Sequence, residues 1–189
     1  KSLCITSGRL EQVRTKQLVK QAARVIDHGT VGLASFLGPV DREELFRRAE
    51  KALCPDMKMD YALPRDQRYE GGAGQGSKFS LDYACGQCLE LCRAYPSFVF
   101  DGQLVAQEAD TCLDNSLGSR LSSREKAFSM YLRFRGPGSR NILDGVFGAG
   151  GLGGFDVENL LARARGQLDA FSREVPLPGP GRHPILLRD

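Results

Sequence analysis

The chain has 189 residues, with 26 Lys and Arg against 23 Asp and Glu, which gives a formal net charge of +3. Apolar residues make up 41% and charged residues 26%, which fits a soluble globular protein and excludes collagen, a coiled-coil rod and a fully disordered chain. Every apolar run is far shorter than the roughly 20 residues that a membrane-spanning helix needs, so we expect that this segment does not span a membrane. We also expect neither nucleic acid nor an anionic surface as the main partner, because the net charge is small.

The first third of the chain favours two helices separated by a short buried loop. Ser7 is a suitable N-cap for a helix over about 8–27, and Gly29 is a suitable end for it. Val31–Leu37 is predicted to be the loop. Asp41 begins a D-x-x-E pattern that predicts a second helix, which ends before Pro55.

The middle of the chain favours three more helices. Residues 55–78 contain two prolines and a glycine run, which predicts an irregular loop or a boundary. Ser80 caps a helix that runs through Tyr95. Phe98–Val105 is either a hairpin about Asp101 and Gly102 or a loop in which Asp101 caps a helix to Gly118, and the apolar spacing favours the helix. A capping box beginning at Ser122 predicts the next helix.

The last third has eight glycines between positions 136 and 154, then a helix capped by Asp156 and a proline-rich tail. The whole pattern predicts an all-α fold of about six helices. We divide it into a cysteine-bearing helical core (1–135), a glycine-rich connector (136–155), and a C-terminal helix with its tail (156–189). Because the chain begins with Lys1 and shows no signal peptide, we expect either a removed leader or a fragment of a longer protein.

Six cysteines predict disulfide bonds within this fold. They are Cys4, Cys54, Cys85, Cys88, Cys92 and Cys112. The middle three share one face of a predicted helix, so each is expected to pair with one of the other three rather than with its neighbours. Each bridge would contribute roughly 2–4 kcal/mol. Disulfides indicate a secreted, lumenal or cell-surface protein.

Three alternatives for the cysteines stay open. The first is reduced thiols in the core. The second is a zinc site, with Cys112, His28 or His183 joining the three helix cysteines; since zinc sites usually show two separated ligand pairs, we expect no metal and no cofactor. The third is redox chemistry at Cys85-Gly-Gln-Cys88, which has the spacing used by thiol–disulfide oxidoreductases and would make Cys85 the nucleophile.

No other pattern points to an enzyme. Gly148–Gly153 matches G-x-G-x-x-G, but a dinucleotide site also needs a second strand, and only one helix and a tail follow. We therefore expect no dinucleotide.

Two groups of cations are candidates for an anionic partner. One is the stripe of Lys16, Lys20 and Arg24 at helical spacing, and the other comprises Arg133, Arg135 and Arg140. A solvated face is the favoured interpretation of both. The segment Pro176–Pro180 is interpreted as a spacer.

We therefore predict a non-enzymatic protein–protein interaction or structural domain of an extracellular protein, whose partner is another protein. The alternatives are an intracellular helical adaptor or viral structural protein with reduced or zinc-bound cysteines, and a thiol–disulfide oxidoreductase.

Overall fold

The computed structural model describes residues 1–58, 62–74, 76–171 and 173. In this part of the chain, nine strands and three helices are present. The prediction of an all-α fold is therefore wrong. In chain order the elements are β1 (Ser2–Thr6), β2 (Arg9–Arg14), β3 (Lys20–Asp27), β4 (Thr30–Leu37), α1 (Arg42–Lys51), β5 (Cys54–Lys58), β6 (Arg68–Ala73), α2 (Leu81–Ala94), β7 (Val99–Asp114), β8 (Arg120–Arg135), β9 (Gly145–Leu152) and α3 (Val157–Phe171).

The larger of two sheets has six strands, built around the long hairpin of β7 and β8. These two strands have 16 residues each and pair along their whole length. The pairing continues from β7 to β1 and on to β2. On its other side, β8 pairs first with β6, in parallel, and then with β9, antiparallel. One strand therefore organises most of the sheet.

Burial along β8 alternates with the period of a strand. Phe128, Met130, Leu132 and Phe134 are buried, while the residues between them are exposed. Successive side chains of a strand point to opposite faces, so this alternation gives the sheet one apolar and one exposed face. Helices α2 and α3 pack on the apolar face and complete the main core.

The smaller sheet has the order β3-β4-β5 and packs against α1. It has its own small core, formed by Ala23, Leu45 and Ala49 with partly buried neighbours. The ion pair between Arg42 and Asp114, at 3.5 Å, joins α1 to the far end of β7.

Two tight turns explain why the first predicted helix is wrong. Thr6 pairs with Arg9, and Asp27 pairs with Thr30, so each hairpin has a two-residue loop. Both loop residues have positive φ, at 50° and 71° for Ser7 and Gly8, and at 47° and 79° for His28 and Gly29. This is the type I′ geometry that suits the twist of a hairpin. The predicted helix cap and helix stop are therefore turn residues, and β2 and β3 replace the helix.

Three of the predicted helices are confirmed. Asp41 caps α1 by accepting hydrogen bonds from the N–H groups of Glu43 and Glu44, at 2.8 and 3.2 Å. Ser80 caps α2, and the side chain of Asp156 accepts from the Asn159 N–H at the start of α3.

The helices predicted after Asp101 and Ser122 are wrong, because those residues lie within β7 and β8. The alternative turn at Asp101 and Gly102 is also wrong, since β7 runs through it. The connector expected over 136–155 contains β9, whose backbone pairs with β8. The predicted loop at Val31–Leu37 lies within β4, and the predicted loop over 55–78 contains most of β5 and all of β6.

Some features lie beyond the described residues, namely His183 and the segment Pro176–Pro180. None of the helices seen in the described ranges has the length and apolar character that crossing a membrane requires.

The packing of α1 on the smaller sheet can be tested at one glycine. A Cβ added at Gly32 would overlap the backbone oxygen of Ala49 on α1, whereas a Cβ at Gly86 on the exposed side of α2 meets open space. We expect Gly32→Ala to lower the free energy of unfolding by about 1–3 kcal/mol through overpacking. Gly86→Ala should raise it by up to about 1 kcal/mol through helix propensity. Urea unfolding of both variants measures the difference, and a neutral Gly32→Ala would contradict this packing.

Candidate functional site

The sheet face that points away from α2 and α3 is the candidate site, and we call it the open face. It is formed by alternate residues of β1, β7, β8 and β9. The strand register places Cys4 next to Gln103, then Tyr131, then Gly148, in one row across four strands. Within the described part of the chain, no helix packs on this row.

Apolar side chains are exposed along the β8–β9 side of the open face. Tyr131 is 38% exposed, Val146 55% and Leu152 58%. Between Val146 and Leu152, the outward positions of β9 are Gly148 and Gly150. With no side chains there, the strand surface stays flat, and its backbone is accessible to a contacting molecule.

At one end of the open face lies a cavity of about 490 Å³, which we call the arginine cleft. Its lining comes from the start of β7, the end of β8 and the loop that leads to β9. The lining residues are Val99, Asp101, Arg133, Phe134, Arg135, Arg140, Asn141 and Ile142. The cleft therefore forms where two strands and one loop converge.

Asp144 holds the loop between β8 and β9 in shape. Its carboxylate accepts hydrogen bonds from Asn141 Nδ2 at 2.7 Å, from the Gly136 N–H at 2.7 Å and from Ser139 Oγ at 2.9 Å. These donors, together with the charge of Arg135, lower the pKa of Asp144. A carboxyl group with a lowered pKa stays ionised to a more acidic pH, so the anchor persists well below neutrality.

Positive charge predominates in the arginine cleft. No carboxylate of the described residues lies within ion-pair distance of Arg133, Arg135 or Arg140. The guanidinium of Arg133 lies over the ring of Tyr131, 5.0 Å from its centroid. The one acidic lining residue, Asp101, accepts a hydrogen bond from the Ser7 N–H at 2.9 Å through Oδ1.

The other predicted cation group does not join this site. Lys16 lies between β2 and β3, while Lys20 and Arg24 lie on β3, and all three are exposed. The helical stripe is absent, because the residues that would form it belong to a strand and its preceding connection.

The structure also corrects the disulfide prediction, since all six cysteines are free. Cys85, Cys88 and Cys92 are buried on the face of α2 that packs on the sheet. Cys4 alternates with the buried Leu3 and Ile5, so its side chain lies on the other face of the same sheet. The sheet itself separates it from the helix thiols. The extracellular assignment depended on the bridges and loses that support.

Burial also opposes thiolate chemistry at the helix cysteines. It raises the pKa of Cys85, that of Cys88 to about 12 and that of Cys92 to about 11. The Cys85–Cys88 pair lies inside α2 and not at its N-terminus, where the helix dipole would favour the thiolate. The Sγ of Cys88 contacts the Sδ of Met130 at 3.9 Å, as a core residue does.

Two further sequence patterns can be located in the structure. In the described ranges, no group of three or more potential ligands is arranged to hold a metal ion. Much of Gly148–Gly153 lies in β9, where the glycines belong to a paired strand and not to a loop before a helix.

Comparison with known proteins shows similarity in fold alone. No family model matches the chain, and no curated protein matches it in sequence. Its structure is similar to the crystal structure of TldE from Thermococcus kodakarensis, with a TM-score of 0.58 and 17% sequence identity. The match covers 89% of this chain and 41% of that chain. The chain thus spans well under half the length of this structural neighbour.

Thiol reactivity offers a test of the cysteine environments. We expect iodoacetamide at about pH 8 to label the exposed Cys112 first and the three α2 cysteines last, because the reagent attacks the accessible thiolate. Peptide mass spectrometry over a time course gives the order. In denaturant without reductant, all six cysteines should become labelled, and any pair that stays protected until reductant is added would contradict the free thiols.

Proposed function

We propose that this chain is a protein-binding domain and that the open face of its larger sheet is the binding surface. The observation that carries the proposal is the asymmetry of this sheet: α2 and α3 bury one face, while the other exposes Tyr131, Val146 and Leu152. Exposed apolar side chains gain free energy when a partner removes them from water, and here three of them share one face of the sheet.

The composition of the open face suits protein recognition. Tyr and Arg are enriched at the energetic centres of protein interfaces, and here Arg133 and Tyr131 stack beside each other on β8. Fully burying a valine or leucine contributes about 1.5–3 kcal/mol. Val146 and Leu152 are 55% and 58% exposed, so covering the remaining surface of each would contribute a little over half of that amount.

A packed core lies behind the open face. The buried side chains of β8 belong to the same hydrophobic core as those of α2 and α3, so the backbone that carries the exposed residues is held from behind. A preorganised surface loses little conformational entropy on binding.

The proposal is tested by identifying a partner at this face and then measuring binding with purified proteins. A photo-crosslinking residue placed at position 131 should form a covalent link to the partner. The same residue placed at position 163, on α3, should form no link to that partner. The purified pair should then bind directly, and Val146→Gln with Leu152→Gln should weaken binding by about tenfold or more, because apolar contact is lost.

The smaller sheet provides a matched control. Leu33 and Leu37 on β4 are 57% and 68% exposed, similar to Val146 and Leu152. Changing both to Gln should leave affinity within about twofold of the original, as expected for residues outside the interface. Equal losses of affinity in the two double variants would overturn the assignment of the open face. So would an unchanged affinity in the β9 double variant, Val146→Gln with Leu152→Gln.

A further inference from the structure

We propose that the arginine cleft binds carboxylate side chains of an acidic, extended segment of the partner protein. This inference rests on the proposed protein-binding function of the open face, and it names the chemistry of the partner. The cleft lies at one end of that face, beside Val146, so a segment lying along β9 would reach it.

The balance of charge in the cleft identifies an anion as the ligand. Three arginines and one acid, Asp101, line the cleft, and the Asp101 carboxylate already accepts the Ser7 N–H through one oxygen. The nearby carboxylate of Asp144 accepts three hydrogen bonds from its own loop. Neither acid is within ion-pair distance of the three arginines. A net positive charge remains for a ligand to neutralise.

The geometry of arginine suits the paired oxygens of a carboxylate, as it also suits those of a phosphate. A guanidinium donates two parallel hydrogen bonds to one carboxylate, and such charge-assisted pairs are among the strongest in proteins. Arg133 and Arg135 are two residues apart on β8, so both project from the open face. Arg140 approaches from the loop, and the cleft can therefore contact a ligand from more than one side.

The surroundings favour a protein segment over nucleic acid. Ile142 is 98% exposed at the rim, and Val99 and Val146 are also exposed, so the charged cleft has apolar edges. A nucleic-acid groove needs a long basic track with aromatic rings free to stack on bases. Here the three arginines form a short cluster at one end of the sheet, and the guanidinium of Arg133 already lies over one face of the Tyr131 ring. A segment that alternates acidic and apolar side chains matches both features of the site.

The anchored loop keeps the cleft open for the ligand. Because Asp144 fixes the ends of the segment 136–144, Arg140 and Ile142 are held near β8 before any ligand arrives. This preorganisation reduces the entropy that binding would otherwise cost.

The test uses a fluorescent peptide of alternating Glu and Val, and a twin peptide in which Gln replaces Glu. Fluorescence anisotropy with the full chain should show affinity for the Glu peptide at least about tenfold above that for the twin, because charge-assisted hydrogen bonds are lost in the twin. Arg133→Gln and Arg140→Gln should each remove about tenfold of the affinity for the Glu peptide. Arg163→Gln, an exposed arginine on α3, is the matched control and should leave it unchanged.

Several outcomes would overturn the inference. The first is equal affinity for the two peptides. The second is a loss of affinity in Arg163→Gln as large as that in the cleft variants. The third is stronger displacement of the Glu peptide by a single-stranded oligonucleotide than by unlabelled peptide. If Val146→Gln with Leu152→Gln weakens binding of the crosslinked partner while the cleft variants bind it normally, the acidic-segment inference fails and the binding function stands. If the Glu peptide binds as expected while the β9 double variant, Val146→Gln with Leu152→Gln, binds the partner normally, the open-face assignment fails instead.

Discussion

The packing of β8 against α2 and α3 is the interaction on which the rest of the structure depends. Four apolar residues at alternate positions, Phe128, Met130, Leu132 and Phe134, fix which face of the sheet is buried. A strand has a side-chain period of two, so the same choice exposes Tyr131, Arg133 and Arg135 on the other face. The main core and the proposed binding surface are thus two results of one alternating pattern.

One edge of β8 is shared by two shorter strands. Its edge opposite β7 is occupied by β6 for its first part and by β9 for its second part. The loop that returns the chain from β8 to β9 carries Arg140, and its fold depends on hydrogen bonds to Asp144. The cleft therefore exists because β9 pairs next to β8, and the glycine-rich composition of β9 leaves it with a flat outer surface.

The helices could be predicted from the sequence because their signals are local. The caps at Asp41, Ser80 and Asp156 act on N–H groups within three residues. The strands are harder to predict, because each depends on a partner far along the chain. Serine and glycine also occur both at helix ends and in tight turns, so Ser7 and Gly29 were assigned to a helix although they lie in hairpin turns.

The alternation of buried residues from Phe128 to Phe134 was a visible strand signal. The arginine cluster was also visible, but the cleft was not, because Val99 and Asp101 come from β7. The disulfide prediction failed for the same reason: only the topology shows that a sheet lies between Cys4 and α2.

The two hydrophobic cores are separate, so the smaller one can open without the larger one. Among the described residues, the small core around Leu45 and Ala49 shares no buried side chain with the main one. Local opening of β3, β4 and α1 would therefore leave the larger sheet packed. Destabilising substitutions in that smaller unit would therefore shorten the lifetime of the protein in the cell through proteolysis, while leaving the proposed binding surface folded.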